Sequence, residues 1–232
     1  MRFLALLRKE LWECLPWILL AAIVFFVMGG FFLRAVAYQG GLNNWYYSRL
    51  SPGSTVDTYR LTYRSPLQVT GMWLFCSSIG LGLVLGIRQF WIPHFTRTWP
   101  LLLHRSVGRK TILAVKLAAA TIGFIISLGI LWVALYWYAC QPELFTVPQP
   151  VRVFIEGWLF IILGLVVYLG AALSGLSTAR WYTTKIFGLA FATIVISTTI
   201  VQWRLAWAFA MIIIGAAVLL SQIVDTFLSR EF

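Results

Sequence analysis

The stretch FIEGWLFIILGLVVYLGAAL, residues Phe154–Leu173, decides the fold class of this chain. Its one charged residue, Glu156, lies near its start. A helix needs about 20 predominantly apolar residues to cross the hydrocarbon core of a bilayer, and this stretch supplies them. In the whole chain 61% of the residues are hydrophobic, only 11% are charged, and the mean hydropathy is +0.87. Because soluble domains carry about 25% charged residues, we expect an integral membrane protein.

Further apolar runs on both sides of this stretch give six predicted spans and an all-α integral membrane fold. The other predicted spans are Pro16–Leu33, Leu67–Ile87, Thr111–Tyr138, Ile186–Val201 and Leu205–Val224. The fifth span is short and ends at Gln202–Arg204, so we expect spans five and six to form a tight hairpin near the membrane surface. Residues 16–232 should form one transmembrane domain, without a separate soluble catalytic domain.

The distribution of positive charge predicts the orientation. The chain has 18 Lys and Arg residues against 7 Asp and Glu, a net charge of +11. Twelve of the 18 cations lie at the two termini and in the segments after spans two and four, and six lie in the other loops. Lys and Arg concentrate on the cytoplasmic side, so both termini should be cytoplasmic and the long loop 34–66 should be external. Topology and anionic lipid headgroups explain the positive charge, and no nucleic-acid partner is expected.

The first 15 residues predict an amphipathic helix that lies in the headgroup plane and leads into span one. Apolar residues recur on one face at helical spacing, namely Phe3, Leu4, Leu7, Leu11, Cys14 and Leu15. The other face carries Arg2, Arg8, Lys9, Glu10 and Glu13. Such a helix binds lipid through its apolar face. The alternative is a charged leader that only sets orientation, although the two acids argue against a cleaved signal peptide.

Small residues recur every four positions in several of the predicted spans. The rows are Ser78, Gly82 and Gly86 in span two, Ala119, Gly123 and Ser127 in span three, and Gly170 and Ser174 at the end of span four. Rows of this kind let helix backbones approach closely in lipid. They predict tight packing, either within the chain or between subunits.

Residues that carry catalysis or bind cofactors are sparse. The two histidines, His94 and His104, have no acid or Cys beside them, and the three cysteines are too widely spaced for a metal site. No GxxxxGK[ST] phosphate-binding loop occurs. We therefore expect no catalytic, cofactor or metal site in this chain, and no enzyme. Lys116 lies within about two turns of the cytoplasmic end of span three, from which its amine can extend to the surface.

The loop 88–110, between spans two and three, contains the most distinctive stretch, RTWPLLLHRSVGRK at Arg97–Lys110. The stretch Arg97–Lys110 carries four cations, one His and no acid. Its apolar triplet Leu101–Leu103 must be buried by lipid, by the protein's own helices or by a groove of another protein. We expect one or two short helices here, lying across the cytoplasmic ends of the two spans.

In layout, the whole chain resembles the membrane subunits of ABC-2 type ABC transporters, which have six spans and an N-terminal interfacial helix. The matching positions in the loop and in span three are Thr98, Leu101, Leu102, Leu103, Val107, Arg109, Leu113 and Lys116. The opening LLRKELWE, Leu6–Glu13, and the closing FLSREF, Phe227–Phe232, are also similar to that family's ends. The loop departs from the family pattern at Arg97, Ser106 and Gly108, where Gly, Pro and Ser are usual.

The resemblance implies the permease subunit of an exporter in a bacterial-type inner membrane. The permease would be a dimer, with itself or with a homologue, and ATP would be bound by separate ATPase subunits. In that family the loop holds a coupling helix that docks in a cleft of the ATPase. The implied coupling residues are Thr98, Trp99, Pro100, Leu101, Leu102, Leu103, Arg105 and Arg109. From the residues alone, two rivals stay open: a membrane subunit that anchors a larger complex, and a membrane enzyme that acts on lipid or peptide.

Overall fold

The computed structural model describes residues 2–38, 66–96, 108–141, 149–176, 186–202 and 204–229. Three helices each contain a π-helical turn. Helix α1 comprises Arg2–Phe25, the turn Phe26–Gly30 and Phe31–Tyr38. Helix α2 comprises Pro66–Gly86, the turn Ile87–Trp91 and Ile92–Phe95, and helix α3 comprises Arg109–Phe124, the turn Ile125–Gly129 and Ile130–Ala139. The remaining helices are α4 (Val151–Leu176), α5 (Phe187–Val201) and α6 (Leu205–Ser229). Nearly all of the described residues are helical and none is in a strand, which confirms the predicted helical fold class.

Five helices are long and apolar enough to cross a membrane, namely α1, α2, α3, α4 and α6. The chain is therefore a multi-pass helical membrane protein. Helix α5 is apolar but has only 15 residues. At 1.5 Å per residue it is about 22 Å long, less than the roughly 30 Å of the hydrocarbon core. The predicted short fifth helix is present, and its passage through the bilayer stays a prediction.

The N-terminal segment is continuous with the first apolar run. Helix α1 continues without interruption from residue 15 to residue 16, so Pro16 lies inside it. Its buried stripe includes Cys14, Ile18 and Phe25, while Leu4 is 68% exposed. Glu10 precedes Cys14 by one helical turn and therefore shares its buried face. The prediction that Glu10 lies on the opposite, polar face is wrong. The position of residues 1–15 in the headgroup plane stays a prediction.

The long helices α1 to α4 run alternately up and down, so the bundle has two ends. At one end Lys116 of α3 contacts Glu10 of α1. At the other end the indole N–H of Trp132 in α3 donates to the carbonyl oxygen of Phe154 in α4, at 3.1 Å. We call these the N-terminal end and the opposite end of the bundle.

Glycines allow α2 and α4 to pack almost backbone to backbone. A Cβ added at Gly82 would overlap the carbonyl oxygen of Gly164, and one added at Gly164 would overlap the side chain of Ser78. The Ser78 hydroxyl donates to the carbonyl oxygen of Ile161 at 3.3 Å. The predicted row of small residues in span two therefore serves packing within the chain. Helix α4 has the largest buried share of the spanning helices and forms the centre of the bundle.

The last two helices pack outward from α4. Gly170 of α4 and Gly188 of α5 approach so closely that a Cβ on either would meet the carbonyl oxygen of the other at 2.5–2.6 Å. Gly215 of α6 receives the side chain of Val195 from α5. Helices α1 and α6 keep the smallest buried shares of the spanning helices. Their exposed apolar faces are available to lipid or to another subunit.

Candidate functional site

The loop with the predicted coupling residues lies largely outside the described residues. Thr98, Trp99, Pro100, Leu101, Leu102, Leu103 and Arg105 all fall there. Arg109 is described and is the first residue of α3. Gly108 before it is extended, and its carbonyl oxygen accepts from the N–H groups of Thr111 and Ile112 at 2.9 and 3.2 Å. The two helix ends that carry the loop can therefore be examined, and both take part in a buried polar network.

The first part of this network is an ion pair between α1 and α3. The amine of Lys116 lies 2.8 Å from a carboxylate oxygen of Glu10. The two side chains are only 5% and 14% exposed. Charges removed from water to this extent are strongly unfavourable unless they are paired, so each partner holds the other in place.

The second part is Gln89, which lies in the π-helical turn of α2 and is buried. Its side-chain amide donates to the sulfur of Cys14 in α1 at 3.3 Å. Its amide oxygen accepts from the hydroxyl of Tyr168 in α4 at 2.6 Å. That hydroxyl also lies 3.3 Å from the backbone carbonyl oxygen of Lys116. One buried side chain of α2 thus connects α1 and α4, and through Tyr168 it approaches α3.

Gln89 continues the buried stripe of α2, since Gly82 and Leu85 are buried at helical spacing before it, and it lies within a π-helical turn. A π-bulge adds one residue to a turn, and one residue corresponds to about 100° of rotation around an α-helix. The residues after the bulge are therefore displaced around the helix axis relative to a regular helix. Both Gln89 and Phe90 are buried in this turn. The Phe90 ring contacts the ring of Tyr168 edge-on, with centroids 6.1 Å apart.

The end of α2 is also fixed to α4 outside the network. The indole N–H of Trp91 donates to the carbonyl oxygen of Ala171 at 2.9 Å. The same indole lies against Gly175, where an added Cβ would overlap it. A displacement of the loop at its α2 side would therefore act directly on the last turns of α4.

We call Glu10, Cys14, Gln89, Lys116 and Tyr168 the polar network. It joins four helices at the N-terminal end of the bundle, beneath the two ends of the loop. Its groups are paired with one another, and none is arranged as a nucleophile with a base. Among the residues that the structure describes, no group of three or more His, Cys, Asp or Glu side chains is placed to hold a metal ion. The arrangement is suited to transmitting a movement or to fixing a geometry.

Sequence reasoning missed this network for identifiable reasons. The prediction that the Lys116 amine extends to the surface is wrong, because its side chain is buried against Glu10. Cys14 was assigned to the lipid-binding face, whereas it lies in the protein core. The available signal was the presence of Gln89, Lys116 and Tyr168 in or beside apolar runs, since polar residues in such runs face the bundle interior.

Of the residues predicted to lie in the membrane interface, Leu4 is exposed, whereas Leu7 and Leu11 are half-buried.

Comparisons with protein-family models, with curated protein sequences and with solved structures find no match for this chain. Fold and site together define a multi-pass helical membrane protein with a buried polar network at one end. Its function must be inferred from that site and from the loop above it.

Proposed function

We propose that this chain is the permease subunit of an ABC transporter, an exporter driven by separate ATPase subunits. Two copies, or one copy and a homologous permease, would enclose the substrate path between them. The N- and C-termini would be cytoplasmic, in an inner membrane of bacterial type. ATP would bind only to the partner subunits, and this chain would need no cofactor of its own.

The observation that supports this proposal most is the polar network beneath the loop. Gln89 lies within two turns of the end of α2 at Phe95, and Lys116 lies within two turns of the start of α3. Through Tyr168 and Glu10 these two positions are joined to α4 and α1. A force on the loop would therefore reach four membrane helices at once, which is the mechanical requirement for a coupling element.

The loop itself has the composition of a docking element. Trp99 and Leu101–Leu103 offer an apolar anchor, and Arg105 and Arg109 offer a cationic rim. Interfaces between proteins typically combine an apolar centre with a polar rim, and aromatic and Arg residues contribute much of their binding energy. An ATPase with an apolar cleft and acids at its edge would match this surface.

Helices α1 and α6 support association with a second permease. Large apolar side chains such as Leu20, Ile23, Ile213 and Ile214 are exposed on their outer faces. In a bilayer these faces contact lipid or another transmembrane subunit. A permease dimer would bury part of them.

A second candidate function is favoured by the completeness of the network. Each polar group in it has a partner within the chain, as expected for a part that fixes a geometry. A membrane subunit that anchors or assembles a larger complex would need only this. Such a subunit would co-purify with other membrane proteins and without an ATPase.

The test uses the double substitution Leu102→Asp with Arg105→Glu, in a tagged chain purified from its native membranes. A carboxylate in an apolar cleft is strongly disfavoured unless it is paired, whereas the same carboxylate facing water costs little. We expect the variant to insert and fold normally and to lose the ATPase subunits. The readouts are the subunit composition by mass spectrometry and the ATP hydrolysis of the purified complex.

The matched control is Leu50→Asp with Arg49→Glu, in the predicted external loop 34–66. It applies the same chemistry and the same change of net charge on the other side of the predicted topology. The control should retain the ATPase. If the loop variant keeps a full complement of ATPase and hydrolyses ATP at the wild-type rate, the coupling assignment is wrong.

A further inference from the structure

An apolar groove lies between α1 and α3, towards the opposite end of the bundle from the polar network. It has a volume of about 540 Å³. Its walls include Phe26 and Phe31 from α1 and Leu131 and Leu135 from α3. This volume falls within the range of about 300–1,000 Å³ that is typical of small-molecule sites.

Small residues make room for the groove. Gly30 and Ala134 both line it. A Cβ added at Gly30 would meet only the ring of Phe26 and a methyl group of Leu135, at 3.8–3.9 Å. In contrast, Gly29 next to it is buried, and a Cβ there would lie 2.9 Å from a methyl group of Thr70. The protein therefore closes the space around Gly29 and leaves it open at Gly30.

One end of the groove is polar. Arg34 and Tyr138 line it, each one helical turn beyond a small residue, Gly30 and Ala134 respectively. Arg34 lies next to Ala35, where the apolar part of α1 that is long enough to cross a membrane ends. Its guanidinium is therefore near the level of the lipid headgroups, where Tyr side chains also concentrate.

Arg34 has no carboxylate partner within the described part of the chain. The ion pairs there are Lys9 with Glu13, Lys116 with Glu10, and Arg152 with Glu156. Arg34 is exposed. The groove thus presents a guanidinium at its end and an apolar wall along its length.

We propose that this groove binds an anionic phospholipid, with one acyl chain along the apolar wall and the phosphate at Arg34. A guanidinium can bind a phosphate through two parallel hydrogen bonds. The occupant must be apolar along about two helical turns and anionic at one end. This site does not depend on the transport proposal, because it lies away from the loop and its network.

A helix from a second copy of the chain fits the groove less well. The described carboxylates are Glu10, Glu13, Glu156 and Asp225. Glu10, Glu13 and Asp225 lie towards the N-terminal end of the bundle, and Glu156 is paired with Arg152 at 2.9 Å. A parallel second copy would therefore bring none of these described carboxylates to Arg34, whereas an anionic lipid supplies its own negative charge.

The test measures retained lipid by native mass spectrometry of the detergent-purified protein, titrated with phosphatidylglycerol or phosphatidylcholine. We expect the wild type to retain phosphatidylglycerol in preference to phosphatidylcholine. Arg34→Gln should weaken phosphatidylglycerol binding about five-fold, and Arg34→Lys should keep most of it. Ala134→Trp should reduce binding of either lipid by filling the groove.

The matched control is Arg152→Gln, which removes a cation already paired with Glu156 and should leave lipid retention unchanged. Inorganic phosphate at constant ionic strength should not displace the lipid. Size-exclusion profiles and unfolding temperatures show whether each variant is folded. Equal retention of the two lipids by the wild type, wild-type retention by Arg34→Gln, or displacement by inorganic phosphate would each overturn the proposal.

Discussion

Replacing Lys116 by Met removes the cation of the buried pair and leaves the carboxylate of Glu10 without its counter-ion. Glu10 is only 14% exposed, so solvent compensates little for the loss. Removing one partner of such a buried pair typically costs about 3–5 kcal/mol. For a protein of this size, each 1 kcal/mol lowers the unfolding temperature by about 2–4 °C. We therefore expect Lys116→Met to lower the unfolding temperature by about 6–20 °C.

Two further variants make this expectation specific. Adding Glu10→Leu to Lys116→Met removes both charges and should recover most of the lost stability, because an apolar pair in place of a buried ion pair is often tolerated. Lys9→Met breaks the pair with Glu13, whose side chains are 49% and 47% exposed. An exposed pair of this spacing contributes about 0.3–0.5 kcal/mol, so the unfolding temperature should fall by less than about 2 °C.

The assay is thermal unfolding of the purified variants in one detergent at one scan rate, followed by intrinsic Trp fluorescence. The fixed scan rate matters because membrane proteins often unfold irreversibly, and the apparent midpoint then depends on it. The reasoning is refuted if Lys116→Met shifts the midpoint no more than Lys9→Met, or if the double variant is as unstable as the single one.

The other predictions concern packing, orientation and the N-terminal helix. Gly82→Ala should destabilise the protein by about 1–3 kcal/mol in the same unfolding assay, because its Cβ would overlap the carbonyl oxygen of Gly164. The control Gly80→Ala should be neutral or slightly stabilising, because its Cβ would meet nothing within 4 Å. Reporters fused after Gln141 or within residues 40–65 should read as external and reporters fused after Phe232 as cytoplasmic; an external C-terminus would contradict the six-span topology. Leu7→Glu with Leu11→Glu should abolish assembly while span one still inserts, since burial of each Leu is worth roughly 1.5–3 kcal/mol, and wild-type assembly of this variant would show that the segment is only a leader.

The helical fold could be predicted from the sequence because its signal is local. An apolar run such as Phe154–Leu173 predicts a crossing helix wherever it packs, since a bilayer requires its length and its apolarity. The short run that ends at Val201 likewise becomes a short helix. The row Ser78, Gly82 and Gly86 indicated close packing, although the partner helix α4 could be identified only in three dimensions.

The polar network could not be predicted because its partners are distant in the sequence. Lys116 pairs with Glu10 across 106 positions, and Tyr168 meets Gln89 across 79. The helical periodicity of residues 1–15 assigned Glu10 to a polar face, but tertiary packing turned that face towards α3. Gln89 continues the helical spacing of the row Ser78, Gly82 and Gly86, so its inward direction follows from the pattern, whereas its partners in α1 and α4 do not.

The subunit composition of the wild-type chain, tagged and purified from its native membranes in a mild detergent, tests the proposed function most directly. An ABC permease should co-purify with a P-loop ATPase, in equal numbers of the two kinds of subunit if the permease is a homodimer. The purified complex should hydrolyse ATP. Recovery of this chain with other membrane subunits, and without any ATPase, would contradict the proposal and favour the anchoring subunit.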